Sequence, residues 1–224
     1  MRNNVASFSA PLPSFAGVPF FDYGGSCMNH SRRKALQHGV KIAILAALAG
    51  VINLFTFPVP FFPPFYEVDL SDAVVLIGGF ALGPWAAVAM EAIKQLINLS
   101  VNGTITAFVG ELANFLMGVA LVVPAAWIYK RNKTLKHALI GMCVGLFSLV
   151  GISALLNYFV LIPAYASAFG MDAVLAMAQK AISSITDLKT LVMFATVPFN
   201  LFKGLLCSVL AFMLYKRISP LLHK

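Results

Sequence analysis

Acidic and amide side chains recur inside apolar stretches of this 224-residue chain. Glu111 and Asn114 stand three residues apart at the start of one apolar run, so on a helix they share a face. Asn200 and Lys203 have the same spacing shortly after Pro198 in a later run. Carboxylate, amide and ammonium groups are costly in a hydrophobic segment unless they meet a polar partner, a ligand or a polar cavity. These spacings therefore predict a polar site inside an apolar bundle.

The remaining candidate side chains lie close to the ends of predicted helices. Amide groups offer both a donor and an acceptor, which suits a heterocycle edge with alternating carbonyl and N–H groups, and carboxylates suit hydroxyls. An aromatic ring nearby can stack on a flat ligand. The candidate ligand-binding residues are Glu67, Asp69, Glu111, Asn114, Asn157, Tyr158, Asn200 and Lys203.

The composition predicts the class of protein. Hydrophobic residues make up 60% of the chain and charged residues only 11%. A soluble domain is closer to half apolar and a quarter charged, so we expect an integral membrane protein. At about 20 residues per crossing, the length fits about six helices and no sizeable soluble domain. The expected fold is an all-α integral membrane bundle of six transmembrane helices.

Prolines and polar turns divide the apolar runs. The segment Phe57–Phe65 holds four prolines and cannot be helical, so it is expected to form an external loop that covers a site or lies at the membrane interface. A more polar connection, residues 164 to 188, is predicted to contain a short amphipathic helix near Met171–Ile182. The predicted membrane segments are Val40–Phe57, Ala73–Leu82, Trp85–Leu99, Thr106–Tyr129, Ala138–Leu161, which Pro163 closes, and Leu188–Tyr215.

The positive charge predicts an orientation. The net charge is +8, and the Lys and Arg residues cluster at the ends of apolar runs, a pattern typical of membrane orientation rather than of a nucleic-acid surface. The clusters lie around the start of the first helix, between helices four and five and after helix six, which places both termini in the cytoplasm. The expected organisation is a flexible cytoplasmic tail at residues 1–34, with Met28 as an alternative start, a membrane domain at 35–217 and a short tail at 218–224.

Several enzyme, pump and metal-site motifs are absent from the sequence. It contains no Walker A, G-x-S-x-G or H-E-x-x-H motif, and its three cysteines and four histidines lack ligand spacing. Glu91 and Lys94 form an i, i+3 pair of opposite charge, which is expected to be structural because pairing lets a bilayer tolerate charge. We therefore expect no enzyme activity, no cofactor and no metal.

Five short motifs occur in order and at compatible spacings between residues 40 and 216. They are Glu67–Asp72, Gly83-Pro84 with Glu91–Lys94, Gly110–Phe115, Asn157–Phe159 and Asn200–Lys203. Together they resemble the riboflavin-binding S component, the substrate-capture subunit, of energy-coupling factor (ECF) transporters.

The resemblance implies high-affinity capture of riboflavin, or of its phosphate FMN, from outside a bacterial cell membrane. Delivery would depend on a shared module of one transmembrane coupling protein and two ATPases. The resemblance also implies that Asn157, Asn200 and Lys203 hold the flavin ring and that the loop after the first helix is a lid. Small residues on the first helix would dock on the coupling protein or pack within the bundle; they are Ala43, Ala46, Ala47 and Gly50.

The residues alone leave other functions open. An S component for thiamine or a queuosine precursor would have the same fold and docking stripe. A secondary carrier acting alone would use Glu91 or Glu111 for proton coupling. A membrane-embedded enzyme would use Glu111 and Lys203 as acid and base, although no nucleophile or metal cluster accompanies them.

Overall fold

The computed structural model describes residues 30–104 and 107–222, and these residues form one helical bundle. Residues 1–29, which hold Met28 and most of the predicted N-terminal tail, lie outside the described residues. The helices are α1 (His30–Asn53), α2 (Ser71–Leu82), α3 (Pro84–Asn102), α4 (Val109–Arg131), α5 (Leu135–Leu156), α6 (Ile162–Phe169), α7 (Met171–Ala181), α8 (Leu188–Leu191) and α9 (Val197–Leu222).

Four helical segments of the described chain are long and apolar enough to cross a membrane. They are Ser31–Asn53, Val109–Arg131, Leu135–Phe169 and Leu188–Tyr215. Helix α2 has only 12 residues, and its residues from Ser71 to Phe80 are buried. Helix α3 has 19 residues and carries the charged pair Glu91 and Lys94 on its buried side. The expectation of a helical membrane protein is thus confirmed at the level of four candidate spans.

The Pro/Phe loop, residues 57–68, is closed at its base by two short strands. Strand β1 (Phe57–Pro58) pairs antiparallel with β2 (Glu67–Val68), with Phe57 opposite Val68. The hydroxyl of Thr56 also donates a hydrogen bond to the Glu67 carboxylate. The segment is non-helical as predicted, but its two ends are held together, which the sequence pattern did not indicate.

Two π-helical turns explain a wrong prediction. The turn Asn157–Leu161 lies just before Pro163, and the turn Val192–Thr196 lies just before Pro198. A π turn pairs residues five apart, so the helix after it begins a new first turn, where proline is tolerated. The helix that was expected to stop at Pro163 therefore continues through α6.

Other element boundaries differ from the predicted ones by up to ten residues. Helix α1 begins at His30 and α9 reaches Leu222, so both extend into the stretches expected to be tails. The short helix expected in the connection is confirmed as α7. Helix α8 begins with a capping box, in which the Asp187 carboxylate accepts a hydrogen bond from the Thr190 amide at 2.8 Å.

Helices α4 and α5 approach closely through glycine. A Cβ atom added to Gly145 would lie 2.2 Å from the carbonyl oxygen of Leu121, and one added to Gly141 would lie 2.7 Å from that of Ala125. Such distances are far below van der Waals contact, so only glycine fits at these two positions. These two glycines therefore form the surface of α5 that packs on α4.

Replacing Gly145 with alanine should destabilise the bundle by about 1–3 kcal/mol, because the new methyl group would force the two backbones apart. The matched control is Gly151→Ala on the same helix, where a Cβ meets nothing within 4 Å. That change should leave stability unchanged or raise it slightly, since alanine favours helices. Thermal unfolding of the purified variants in detergent measures both, and equal unfolding temperatures would contradict the close approach.

Candidate functional site

A buried cluster of polar and aromatic side chains forms where the Pro/Phe loop meets the two π turns and α9. We call it the amide cluster, and it consists of Tyr66, Asn157, Thr196, Phe199 and Asn200. Asn157 and Asn200 are 4% and 5% exposed. Two of the predicted binding residues therefore lie together in an enclosed place, and Lys203 follows one turn later on α9.

The two amides are held in fixed orientations by their own helices. Asn157 is the first residue of its π turn, and its Nδ2 donates to the Ser153 carbonyl at 2.8 Å. Asn200 Nδ2 donates to the Thr196 carbonyl at 3.0 Å. The Oδ1 atom of Asn157 accepts a hydrogen bond of 3.3 Å from the Tyr66 hydroxyl. Each amide is thus oriented before any ligand binds, which limits the entropy lost on binding.

Aromatic residues of the Pro/Phe loop cover the amide cluster. The Tyr66 ring stacks on Phe199 with centroids 4.9 Å apart, and Phe62 meets Phe199 edge-on at 5.4 Å. The Tyr66 hydroxyl lies 2.6 Å from Thr196 Oγ1. Burial raises the pKa of the Tyr66 phenol far above its usual range, so the group remains a neutral donor. The loop therefore lies over the cluster with its polar group directed inward.

Lys203 is held by the aspartate at the foot of the Pro/Phe loop. Its Nζ donates to Asp69 Oδ2 at 2.7 Å and lies 3.8 Å from Asp72 Oδ2. The other oxygen of Asp69 accepts from the Ser71 amide at 3.0 Å and from the Ser71 hydroxyl. Burial by itself raises the pKa of Asp69, but the ammonium groups of Lys203 and Lys94 outweigh it and hold that pKa well below its usual range. Asp69 is therefore a charged anchor for Lys203.

The pair extends into an ion-pair network of Asp69, Asp72, Glu91, Lys94 and Lys203. Lys94 Nζ lies 2.5 Å from Asp72 Oδ1 and 2.7 Å from Glu91 Oε2. Glu91 and Lys94 are 0% and 2% exposed, and the expected pair between them is confirmed. The network joins the foot of the Pro/Phe loop to α2, α3 and α9. It therefore holds these elements in position relative to one another.

The other predicted binding residues lie outside the amide cluster. Glu111 is half-buried and accepts a hydrogen bond of 3.1 Å from Thr104 Oγ1, and Asn114 is exposed. Glu67 is also exposed, and it lies with Glu111 within electrostatic range of Tyr165. Tyr158 is half-buried and packs edge-on against Phe159, with centroids 4.8 Å apart. We call these four less buried residues the open rim, of which Glu67 and Glu111 both lie near Tyr165.

The candidate ligand-binding residues did not include three members of the amide cluster: Tyr66, Thr196 and Phe199. Tyr66 follows the proline-rich segment directly and looks like an ordinary interfacial aromatic. Thr196 is a small residue in an apolar run, and nothing in its neighbours distinguishes it. Its position four residues before Asn200 places it on the same helical face, and that spacing is the one signal that would have suggested it.

The small-residue stripe of α1 divides between two faces. Ala46 and Gly50 are buried, and a Cβ on Gly50 would lie 2.5 Å from Ile97 Cδ1 of α3. Ala43 and Ala47 are exposed. Half of the stripe thus packs within the bundle, and the other half remains open to a lipid or a partner.

Comparison with known proteins shows extensive similarity to vitamin transporters. The riboflavin transporter RibU of Staphylococcus aureus (strain TCH60) is 30% identical over 202 residues, which cover 88% of this chain and 100% of that protein. The riboflavin transporter FmnP of Bacillus subtilis (strain 168) is 29% identical over 182 residues, which cover 81% of this chain and 91% of the relative.

A solved structure shares the fold. It is described as "Structure and mechanism of the S component of a bacterial ECF transporter", and it superimposes with a TM-score of 0.68 at 28% identity over 85% of this chain and 99% of that one. Residues 37–215 match the family model for the ECF transporter, substrate-specific component. Because that match spans most of the chain, the protein belongs to the family of substrate-specific components of ECF transporters.

Proposed function

We propose that this protein is the riboflavin-capture subunit of an ECF transporter in a bacterial plasma membrane. It binds the vitamin and works with a module made of a transmembrane coupling protein and ATPases, so it is a transport component and not an enzyme. The observation that carries the proposal is the amide cluster beside Lys203, in a chain that aligns along most of its length with riboflavin transporters. Thiamine and queuosine-precursor carriers, proton-coupled carriers and enzymes are not favoured by these relatives.

The chemistry of the amide cluster suits a flavin. The pyrimidine edge of the ring system alternates carbonyl and N–H groups, and the amides of Asn157 and Asn200 supply both donors and acceptors. The Lys203 ammonium can donate to a ring carbonyl, and Phe199 offers a face for stacking. A flavin stacked on the face of Phe199 that Tyr66 covers would displace Tyr66, so the Pro/Phe loop acts as a lid that lifts and closes again.

The residues of the open rim suit the other end of the ligand. The ribityl chain carries hydroxyl groups, which carboxylates accept well. Glu67 stands at the foot of the lid and Glu111 at the start of α4, with Asn114 and Tyr158 as further rim contacts. In this arrangement the ring enters the amide cluster and the sugar-like chain remains near the surface.

The flavin absorption spectrum tests the function. We expect detergent-purified protein to show a flavin spectrum that is released on denaturation, and mass analysis of the released compound separates riboflavin from FMN. Ligand-free protein should quench the fluorescence of added riboflavin. A colourless protein that also leaves added riboflavin unquenched would contradict the proposal and favour another vitamin.

The same titration tests the site. Asn157→Ala, Asn200→Ala and Lys203→Ala should each weaken riboflavin binding by about 1–3 kcal/mol, because each leaves ligand or protein polar groups unpaired. The matched control is Asn98→Ala, which removes an amide that bonds Asn102 on α3. Unchanged riboflavin affinity in the Asn200 and Lys203 variants would show that neither residue contributes to the binding site.

Lys203→Ala also leaves Asp69 buried without its partner, so loss of binding could reflect misfolding. The double variant Lys203→Ala with Asp69→Asn separates the two effects, because a neutral amide is cheaper to bury than a lone carboxylate. Restored thermal stability with riboflavin binding still weakened would place Lys203 in contact with the ligand.

We further propose that α2 and α3 complete six membrane crossings and that both termini are cytoplasmic. The Lys and Arg clusters support this orientation through the positive-inside rule. Helix α5 begins beside one cluster, and Asn157 lies 22 residues after Leu135, or about 33 Å along the helix axis. That distance is close to the thickness of the hydrocarbon core, so the amide cluster faces the outside.

Cysteine labelling tests this topology. In a variant without its natural cysteines, Asn102→Cys should react with a membrane-impermeant maleimide on intact cells, because the α3–α4 connection is external. Lys133→Cys, in the α4–α5 turn, should react only after the cells are permeabilised. The reversed pattern would contradict the proposed orientation.

The exposed half of the α1 stripe is the proposed contact for the coupling protein. Ala43→Trp and Ala47→Trp should reduce co-purification with the module, because a bulky side chain prevents close helix approach, and riboflavin binding should be unchanged. The control is Val144→Trp on an exposed face of α5. Equal loss of co-purification in the control would argue against a docking role for α1.

A further inference from the structure

Two neighbouring cavities lie at the turn between α4 and α5. The turn precedes α5, whereas Asn157 of the amide cluster follows the other end of that helix. The cavity volumes are about 510 Å³ and 350 Å³, within the range of small-molecule sites. Both are lined by Trp127 and Arg131. We call them the turn cavities; the larger is also lined by Ile128, Asn132 and His137, and the smaller by Pro84, Trp85 and Lys130.

The wall of the larger cavity is ordered by hydrogen bonds. His137 Nδ1 lies 2.7 Å from Thr134 Oγ1, and its Nε2 lies 3.2 Å from Asn132 Nδ2. Thr134 also caps the start of α5. These hydrogen bonds hold the turn that directly follows Arg131.

The charged residues near the turn in the sequence are all basic. Residues 130 to 136 hold four Lys and Arg residues, and the chain has no acidic residue between Glu111 and Asp172. The ion pairs of the described residues join other lysines to Asp69, Asp72 and Glu91. A site of this charge is complementary to an anion from outside the protein.

Both tryptophans of the chain are at this site. Trp85 is 76% exposed and Trp127 is 48% exposed, at the ends of α3 and α4 that meet the turn. Indole rings favour the headgroup level of a bilayer, and basic pockets between membrane helices suit anionic headgroups. A phosphate held by Arg131, with apolar chains beside the indoles, satisfies both features.

We propose that the turn cavities bind the headgroup of an anionic phospholipid, with Arg131 and Lys130 on its phosphate and the two tryptophans beside its glycerol and upper acyl chains. The planar guanidinium of Arg131 suits two phosphate oxygens at once. The binding is independent of the proposed riboflavin site, and only the assignment to the cytoplasmic leaflet depends on the proposed topology.

Tryptophan fluorescence tests the proposal directly, because the natural chain has no tryptophan outside this site. The protein is reconstituted in phosphatidylcholine vesicles that contain either brominated phosphatidylglycerol or brominated phosphatidylcholine. We expect stronger quenching by the brominated anionic lipid. Arg131→Gln and Lys130→Gln should each lower the relative binding constant of that lipid about fivefold, the effect of one basic residue at an anionic surface.

The matched control is Lys34→Gln on α1, which removes one positive charge but does not line either cavity. It should keep the preference for the anionic lipid, and unfolding temperatures verify that all variants are folded. Equal quenching by the two brominated lipids would overturn the proposal, as would an equal loss of preference in the control. A variant that shows no lipid effect but loses co-purification with the coupling protein would also overturn it, in favour of a protein partner.

Discussion

The position of the proposed binding residues depends on a network of charged side chains that are largely removed from solvent. Asp69 holds Lys203, and Asp72 joins this pair to Lys94 and Glu91. Removing one partner of such a buried pair typically lowers the free energy of unfolding by about 3–5 kcal/mol, because the remaining charge is left without compensation. The network therefore fixes the register of α9 against α2, α3 and the foot of the Pro/Phe loop. Asp69 and Asp72 together hold the Lys203 ammonium group, which is the group proposed to meet the ligand.

The neighbouring helix accommodates this network by having no side chain at one position. A Cβ atom on Gly118 of α4 would lie 2.6 Å from the Glu91 carboxylate carbon, so the acid occupies space that any other residue would fill. The π turns make a comparable adjustment at the amide cluster, where they precede Pro163 and Pro198 and allow the helices to continue. Local departures from regular helix thus surround the proposed ligand site, as is common at functional positions.

Part of this arrangement could be read from the sequence, and the limit is physical. Apolar runs, the proline-rich segment and the Glu91–Lys94 pair are local patterns, so they predicted the helices, the loop and one ion pair. The contact of Lys203 with Asp69 joins residues 134 apart, and no local spacing encodes it. Thr196 contacts Tyr66, 130 residues away, and only its local spacing to Asn200 could have suggested it. The stop expected at Pro163 failed because a π turn is a backbone solution that composition does not reveal.

In the proposed site, Tyr66 contacts Asn157 and Phe199, the same two residues that a flavin would contact. A flavin bound there would replace the stacked Tyr66 ring, so its apparent affinity would be the intrinsic affinity multiplied by the fraction of molecules whose loop is already open. Selectivity then has two parts, the fit of the ligand and its ability to replace an internal phenol. A solute unable to make both the stacking and the amide contacts would find the position occupied, and the loop would exclude it without any direct repulsion.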